Sequence, residues 1–344
     1  MNKQILDSVV SLTEQKDLDS VGISLLSTIA EYVYFEKACL YELERSWPNP
    51  IITVLLELKV QSVEPHFVWY ANQTLMQPAT QLVTSIDSLK RSVTETRDGM
   101  TELWVPVAGA GKKLALHLRA ETITTENKSL ISAFARIYGN YLRVLVESEK
   151  DKLTGLLNRH SFERHLRQML AKQASRQKRQ HTNFPSREAH AEDKPWLVII
   201  DIDYFKKVND VFGHVCGDEV LLTLSQKMSG YFRSSDYVFR FGGEEFVIIL
   251  EPATRSDAFK KLNDFRLEVE QDRFPLVGKI TVSIGFAEAS QEDYEQVLME
   301  RADKAMYYAK EHGRNAVYCY EQLVEEGELQ EEVAIAKESA IDLF

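Results

Sequence analysis

The sequence predicts an α/β (α+β) chain of two domains, and three observations carry that expectation. At 344 residues, 44% of them hydrophobic, the chain is longer than one ordinary domain and apolar enough for two cores. Over its second half, helical patterns at 161–178, 216–232, 255–272 and 293–312 alternate with strand-like runs near 196–202, 237–242, 245–251, 278–287 and 315–320. Residues 1–149 follow a different order, with helices first, then a series of strands, then one long helical pattern.

In that first domain, residues 4–34 read as two helices split near Asp17-Leu18-Asp19-Ser20. Strands follow at 37–43, 51–58, around Phe67-Val68-Trp69-Tyr70, at 103–107 and at 114–118, and an exit helix runs from about Lys128 to Glu149. Tyr34, Phe35, Trp69 and Tyr70 could line a ligand cavity. Aromatics of this kind are more often core, so the ligand of this domain stays unknown. Along the exit helix, Ile131, Phe134, Tyr138, Tyr141 and Leu145 repeat at 3-4-3-4 spacing, the pattern of an a/d seam. Two heptads are short for a coiled coil, and the expectation is a shared role: packing on its own domain and pairing with a second subunit.

Composition narrows the function classes. A net charge of −11 argues against nucleic-acid binding. No apolar run approaches a membrane span, and Met1-Asn2-Lys3-Gln4-Ile5-Leu6-Asp7 lacks the apolar core of a signal peptide, so a cytoplasmic location is expected. Cys39, Cys216 and Cys319 are few and far apart, which reads as reduced thiols. Residues 173–195 make a long polar connection whose cluster Arg176, Lys178 and Arg179 suits a solvated helix end, and residues 322–344 form an acidic tail.

Chemistry concentrates in two places. Gly242-Gly243-Glu244-Glu245 lies between strand-like runs, so two carboxylates stand at a hairpin tip where glycines allow a tight turn and close approach of an anionic ligand. Upstream, the apolar run 196–200 ends in Asp201, and a carboxylate at the mouth of a buried strand is costly unless paired or bound to metal. If the two strands are neighbours, Asp201 and Glu244 converge into a pair of hard oxygen ligands suited to Mg²⁺, or Mn²⁺, with nucleotide phosphates completing the shell.

These blocks resemble the GGDEF family of diguanylate cyclases. Gly242-Gly243-Glu244-Glu245-Phe246 is similar to its signature, Asp151-Lys152-Leu153-Thr154-Gly155-Leu156-Leu157-Asn158-Arg159 to its opening block, and 201–218 to its D-I-D-x-F-K-x-x-N-D segment with the following F-G-H and G-D. Ala309-Lys310 through Gly313-Arg314-Asn315 resembles its closing block. The resemblance covers 150–321 and implies a largely antiparallel sheet like that of class III nucleotidyl cyclases and polymerase palm domains. Residues 1–149 resemble a GAF sensor in architecture alone, with a PAS-type sensor as the alternative.

The resemblance implies condensation of two GTP into cyclic di-GMP and two pyrophosphates. Asp201, Glu244 and the Ile202 carbonyl would hold the metal, Glu244 or Glu245 would accept the hydroxyl proton, and Lys206, Lys310 and Arg314 would hold phosphates. Gly242, Gly243 and Phe205 would line the substrate site. Asn209 and a buried Asp218 would read guanine, whose two donors a carboxylate can accept. The bland alternative for Asp218 is a helix cap. His214 would support the pocket. One GTP site per domain calls for a homodimer. Arg233-Ser234-Ser235-Asp236, with Arg240, matches the family's site for inhibition by cyclic di-GMP. A catalytically silent module that binds cyclic di-GMP or GTP is the rival, and the presence of Asp201, Glu244 and Glu245 argues against it.

Overall fold

The computed structural model describes residues 2–15, 17–44, 51–60, 67–75, 80–109, 112–170, 193–233, 235–290 and 294–330. The chain divides into two compact units, Met1–Ser148 and Glu149–Phe344.

The first unit runs α1 (Asn2–Thr13), α2 (Leu18–Tyr32), β1 (Lys37–Glu44), β2 (Ile51–Val60), β3 (Phe67–Leu75), α3 (Thr80–Ser88), β4 (Val93–Arg97), β5 (Met100–Gly109), β6 (Lys112–Ala120) and α4 (Thr125–Ser148). Asp17 separates the first two helices by capping α2, its Oδ1 accepting from the Ser20 amide at 2.8 Å. The strands form one antiparallel sheet in the order β3-β2-β1-β6-β5-β4. Both α3 and β4 are absent from the sequence reading. β4, Val-Thr-Glu-Thr-Arg, is an edge strand exposed from its second residue on, so it carries no apolar alternation to detect.

The packing half of the expectation for the exit-helix seam is met. Ile131, Phe134 and Tyr138 are buried in the core that α1, α2 and α4 build on one face of the sheet. The Tyr141 hydroxyl donates to the Gln15 carbonyl at 2.7 Å, and Leu145 packs against the same core. The seam is consumed internally because α1 and α2 are themselves apolar and lie against it. Phe35 belongs to this core, whereas Tyr34 is exposed. The side chains of Trp69 and Tyr70 lie outside the described residues.

In the second unit, β7 (Leu157–Asn158) leads through a short 3₁₀ turn into helical residues 162–170 (α5). The remainder of the helix expected to 178, and the basic cluster beyond it, fall outside the described residues. Then come β8 (Lys194–Ile202), α6 (Phe205–Phe212), α7 (His214–Tyr231), β9 (Tyr237–Gly242), β10 (Glu245–Ala253), α8 (Arg255–Gln271), β11 (Val282–Glu288), α9 (Glu295–Glu311), β12 (Val317–Cys319) and α10 (Tyr320–Glu325). The sheet order is β12-β11-β8-β10-β9-β7, antiparallel except for the parallel outer pairs β11/β12 and β7/β9.

The central strand β8 is buried on both faces, as its continuous apolar run requires. Val198, Ile200 and Ile202 join the core under α6, α7 and α8. Leu197 and Ile199 join the core under α5, α9 and α10. Strand alternation therefore sets Asp201 on the α9 side. α10 buries Tyr320 and Leu323 in that second core, so the segment read as an acidic tail begins inside the fold. Residues 331–344 lie outside the described residues.

Candidate active site

Register brings the acidic residues together. Asp201 pairs with Glu245 across β8/β10, and Glu245 pairs with Gly242 across a two-residue turn of Gly243 and Glu244. Gly243 takes φ +47°, a conformation costly for a side-chain-bearing residue. Glu245 thus stands beside Asp201 on the α9 face, and Glu244 sits at the tip.

Helix α9 reaches this corner because it lies directly on β11. A Cβ on Gly285 would come within 2.0 Å of the Met306 amide nitrogen and 2.3 Å of the Ala302 carbonyl oxygen. With Ala302, Ala305 and Ala309 as the buried stripe of α9, helix and strand backbones are nearly in contact. Lys310, in the last helical turn, then sets Nζ 2.7 Å from Asp201 Oδ1.

Electrostatics single out the same cluster. Burial, then repulsion from Asp203 and Asp303, holds the Asp201 carboxyl above its ordinary range despite Lys310. Burial and Asp201 push Glu244 up, against Lys310. Burial, Asp201 and Asp303 push up the more exposed Glu245, against Lys310 and Arg159. Asp303 is itself raised by burial. This acid was missed in the sequence because a lone aspartate on a helix surface carries no signal until the helix is docked.

The donor set fits a divalent ion. Asp201 Oδ1 is buried, and although Lys310 pairs with it, no well-aligned hydrogen bond reaches it. Among the described residues no three His, Cys, Asp or Glu side chains form a closed cage. The carboxylates of Asp201 and Glu244 are hard oxygen donors of the kind a divalent ion takes, and phosphate oxygens could supply the rest of its shell. Ile202, whose carbonyl was expected to contribute, follows Asp201 at the end of β8 with its side chain in the opposite core.

Asp203 also escaped the sequence reading. Its buried carboxylate accepts from the Ser283 hydroxyl at 2.7 Å, the Thr281 hydroxyl at 2.7 Å and the Asn315 amide at 3.0 Å. It binds the β8 end, the approach to β11 and the turn after α9 to one another. Around it Tyr204, Arg314 and Asn315 all take positive φ, a strained state for non-glycine residues. The Arg314 guanidinium lies over the Tyr204 ring at 4.5 Å, so this expected phosphate cation is held in place. No side chain caps the N-terminus of α6, where Lys206 is exposed in the first turn.

The expected base readers share one corner. A Cβ on Gly217 would fall 2.0 Å from Asn209 Oδ1, so this glycine is what lets the α6 asparagine pack against α7 beside Asp218. Asp218 is exposed, against the expectation of burial, and α7 begins at His214, so Asp218 is inside the helix and caps nothing. His214 is the exposed first residue of α7. Phe205 is core, 5% exposed, and supports the corner from beneath instead of lining it.

The residues expected to bind product have separate duties. Arg233 is exposed beside an open cleft of about 610 Å³ that Lys260, Lys261 and Tyr231 also line. Asp236 is buried and engaged: it accepts from the Arg233 amide at 3.0 Å, the Glu251 amide at 3.0 Å and Lys261 Nζ at 2.5 Å. Arg240 turns away from that cleft. It donates to the Gly243 carbonyl at 2.9 Å and to Asp151 Oδ1 at 3.1 Å, tying the hairpin tip to the 151–159 segment. Burial works against the charge of Asp151, but the hydroxyl and amide of Thr154 and then Arg240 outweigh it and hold the carboxyl below its ordinary range.

Sheet order, the acidic hairpin and the flanking cations define a nucleotide-handling α/β domain. Residues 148–316 match the family described as "Diguanylate cyclase, GGDEF domain", and this part of the chain is a GGDEF domain. The response regulator PleD of Caulobacter vibrioides is 34% identical over 191 residues, 52% of this chain and 39% of PleD. Diguanylate cyclase DosC of Escherichia coli is 41% identical over 126 residues, 35% of this chain and 27% of DosC. The match therefore spans well under half the length of these relatives. Among solved structures, the GGDEF domain of DgcB from Caulobacter crescentus in complex with c-di-GMP shows 31% identity and a TM-score of 0.44, covering 51% of this chain and 96% of that one. No helix among the described residues is long and apolar enough to cross a membrane.

Proposed function

We propose that this protein is a diguanylate cyclase that condenses two GTP into cyclic di-GMP and two pyrophosphates. The observation that carries the reading is Asp201: a buried carboxylate at the end of the central strand, registered against the Gly-Gly-Glu-Glu hairpin and paired with Lys310 at 2.7 Å. In the reaction the 3′-hydroxyl of each GTP attacks the α-phosphate of the other, a P–O bond forms, and the bond to pyrophosphate breaks. Asp201 and Glu244, with the Ile202 carbonyl, would hold Mg²⁺ or Mn²⁺, which when bound neutralises phosphoryl charge and acidifies the hydroxyl. Glu244 and Glu245 are the carboxylates available to take the hydroxyl proton, and burial and Asp201 raise both above the ordinary carboxylate range, which makes them better proton acceptors. Lys206, Lys310 and Arg314 steady the triphosphate, and Arg314 is already oriented by Tyr204. Asn209 and Asp218 address guanine, with Asp218 becoming buried only when the base covers it.

One GTP site per domain requires two domains face to face, so the active species is a homodimer. The first unit, a six-stranded sheet with its helical core on one face, supports a GAF-like sensor that controls how the two catalytic domains meet. Arg233 is the exposed cation through which cyclic di-GMP inhibits, while Asp236 shapes the turn that carries it.

Incubating the purified chain with GTP and Mg²⁺, and separately with ATP, tests this. Cyclic di-GMP from GTP alone is expected. GTP binding without product would support a silent module, and equal use of ATP would remove Asn209 and Asp218 as base readers.

A further inference from the structure

Lys310 is a phosphate cation in the proposed reaction, yet in the structure it pairs with a carboxylate. Its Nζ lies 2.7 Å from Asp201 Oδ1, on the carboxylate that the proposed reading assigns to a metal ion. The two partners differ in access to water: the Asp201 side chain is 5% exposed and that of Lys310 is 25%. Asp201 cannot turn to solvent for compensation, whereas the lysine stem reaches outward. Lys310 is also the cation that acts on every acid of the cluster, Asp201, Glu244, Glu245 and Asp303. Asp303 lies two turns earlier on α9, and helical side chains lean toward the N-terminus, so the lysine stem runs back along the helix toward it.

We propose that Lys310 is a displaceable stand-in for the metal: it neutralises Asp201 whenever no ion is bound and moves to the triphosphate when ion and nucleotide bind together. The inference rests on the reading of Asp201 as a metal carboxylate. An uncompensated buried carboxylate is costly, so Asp201 needs a cation partner whether or not a metal is bound. An ammonium and a divalent ion cannot share one oxygen at contact distance without strong repulsion. Binding of the ion therefore evicts Lys310 from Asp201, and eviction is favourable only when another anion receives the ammonium. The triphosphate is that anion. Ion and nucleotide thus assist each other by a route beyond their direct contact, and by linkage the assistance is mutual.

The consequence runs against simple intuition: deleting a phosphate-binding cation should tighten metal binding to the empty protein. The experiment measures Mn²⁺ binding to the full chain, by the electron paramagnetic resonance signal of free Mn²⁺, for wild type, Lys310→Met, Lys310→Arg and Asp201→Asn. Each is measured alone and with a non-hydrolysable GTP analogue. Met keeps the apolar stem of Lys310, and Arg keeps the charge. Nucleotide-free Lys310→Met is expected to bind Mn²⁺ about tenfold tighter than wild type, a change of one decade in the constant. Lys310→Arg should stay weak like wild type, and Asp201→Asn should lose the site. The tightening that the analogue confers on Mn²⁺ should shrink in Lys310→Met. If Lys310→Met binds no tighter than wild type while Asp201→Asn loses binding, the stand-in role is overturned and the metal site survives. If Asp201→Asn binds as well as wild type, the metal reading itself fails and takes the stand-in role with it.

Discussion

At the scale of single residues, Asp201 shows how a site trades stability for chemistry. Its folded value is raised, so its contribution to stability is fully present below the unfolded carboxylate value and is lost as pH rises through the folded one. At neutral pH the charged carboxylate is therefore a net burden on the metal-free fold. Asp201→Asn keeps the shape without the charge, and calorimetry without metal should show a higher Tm alongside lost turnover. A lower Tm would mean that the Lys310 pair outweighs burial. The same raised values on Asp201, Glu244 and Glu245 mean that metal binding weakens as pH falls from above the ordinary carboxylate range, because a proton competes with the ion for each carboxylate, and Mn²⁺ titrations across pH should show it. Arg233 and Asp236 make a second contrast. Asp236→Ala leaves the Arg233 and Glu251 amides without their acceptor and frees Lys261 to solvent, and should cost about 1–3 kcal/mol in denaturant unfolding. Exposed Arg233→Ala should stay within about 0.5 kcal/mol of wild type while weakening inhibition by cyclic di-GMP. Equal destabilisation by both would tie Arg233 to the fold.

At the scale of elements, the docking of α9 on β11 decides where Lys310 stands. Gly285→Ala forces a methyl against helix backbone that has no side chain to move aside. The expected cost is about 1–3 kcal/mol of overpacking, with a fall in activity because α9 must lift and carry Lys310 off Asp201. Unchanged stability and turnover would show that α9 can slide. For α4, Phe134→Glu loses a core side chain worth about 3–5 kcal/mol and buries a charge as well. Circular dichroism should report unfolding of the first unit. A folded, merely monomeric variant would assign the seam to subunit pairing as well as to packing within its own unit.

At the scale of the whole molecule, the proposed reaction, with one GTP site per domain, would make rate depend on assembly. Turnover per subunit should rise with protein concentration and level off as dimers saturate, followed by initial rates across a dilution series with sedimentation in parallel. Turnover independent of concentration, with sedimentation showing monomers, would require both GTP molecules to be held by one chain.

The sequence by itself determined the chemistry-bearing blocks, because metal carboxylates, turn glycines and phosphate cations need particular residue types at close spacing. It also determined that β8 is buried on both faces, since a continuous apolar run has no solvent side. Only tertiary structure decided which partners those residues take. Asp303, Asp203 and Tyr204 join the site through the docking of α9 and three strained turns, contacts between segments far apart in the chain. Arg240 and Asp236, which the motif made candidates for binding product, are claimed by Gly243, Asp151 and Lys261 once the strands pair. The 3-4-3-4 seam fits a neighbouring subunit as well as it fits α1 and α2, because an apolar stripe specifies that something covers it and not what. Local periodicity encodes each face. The identity of its partner depends on long-range packing, which no window of sequence contains.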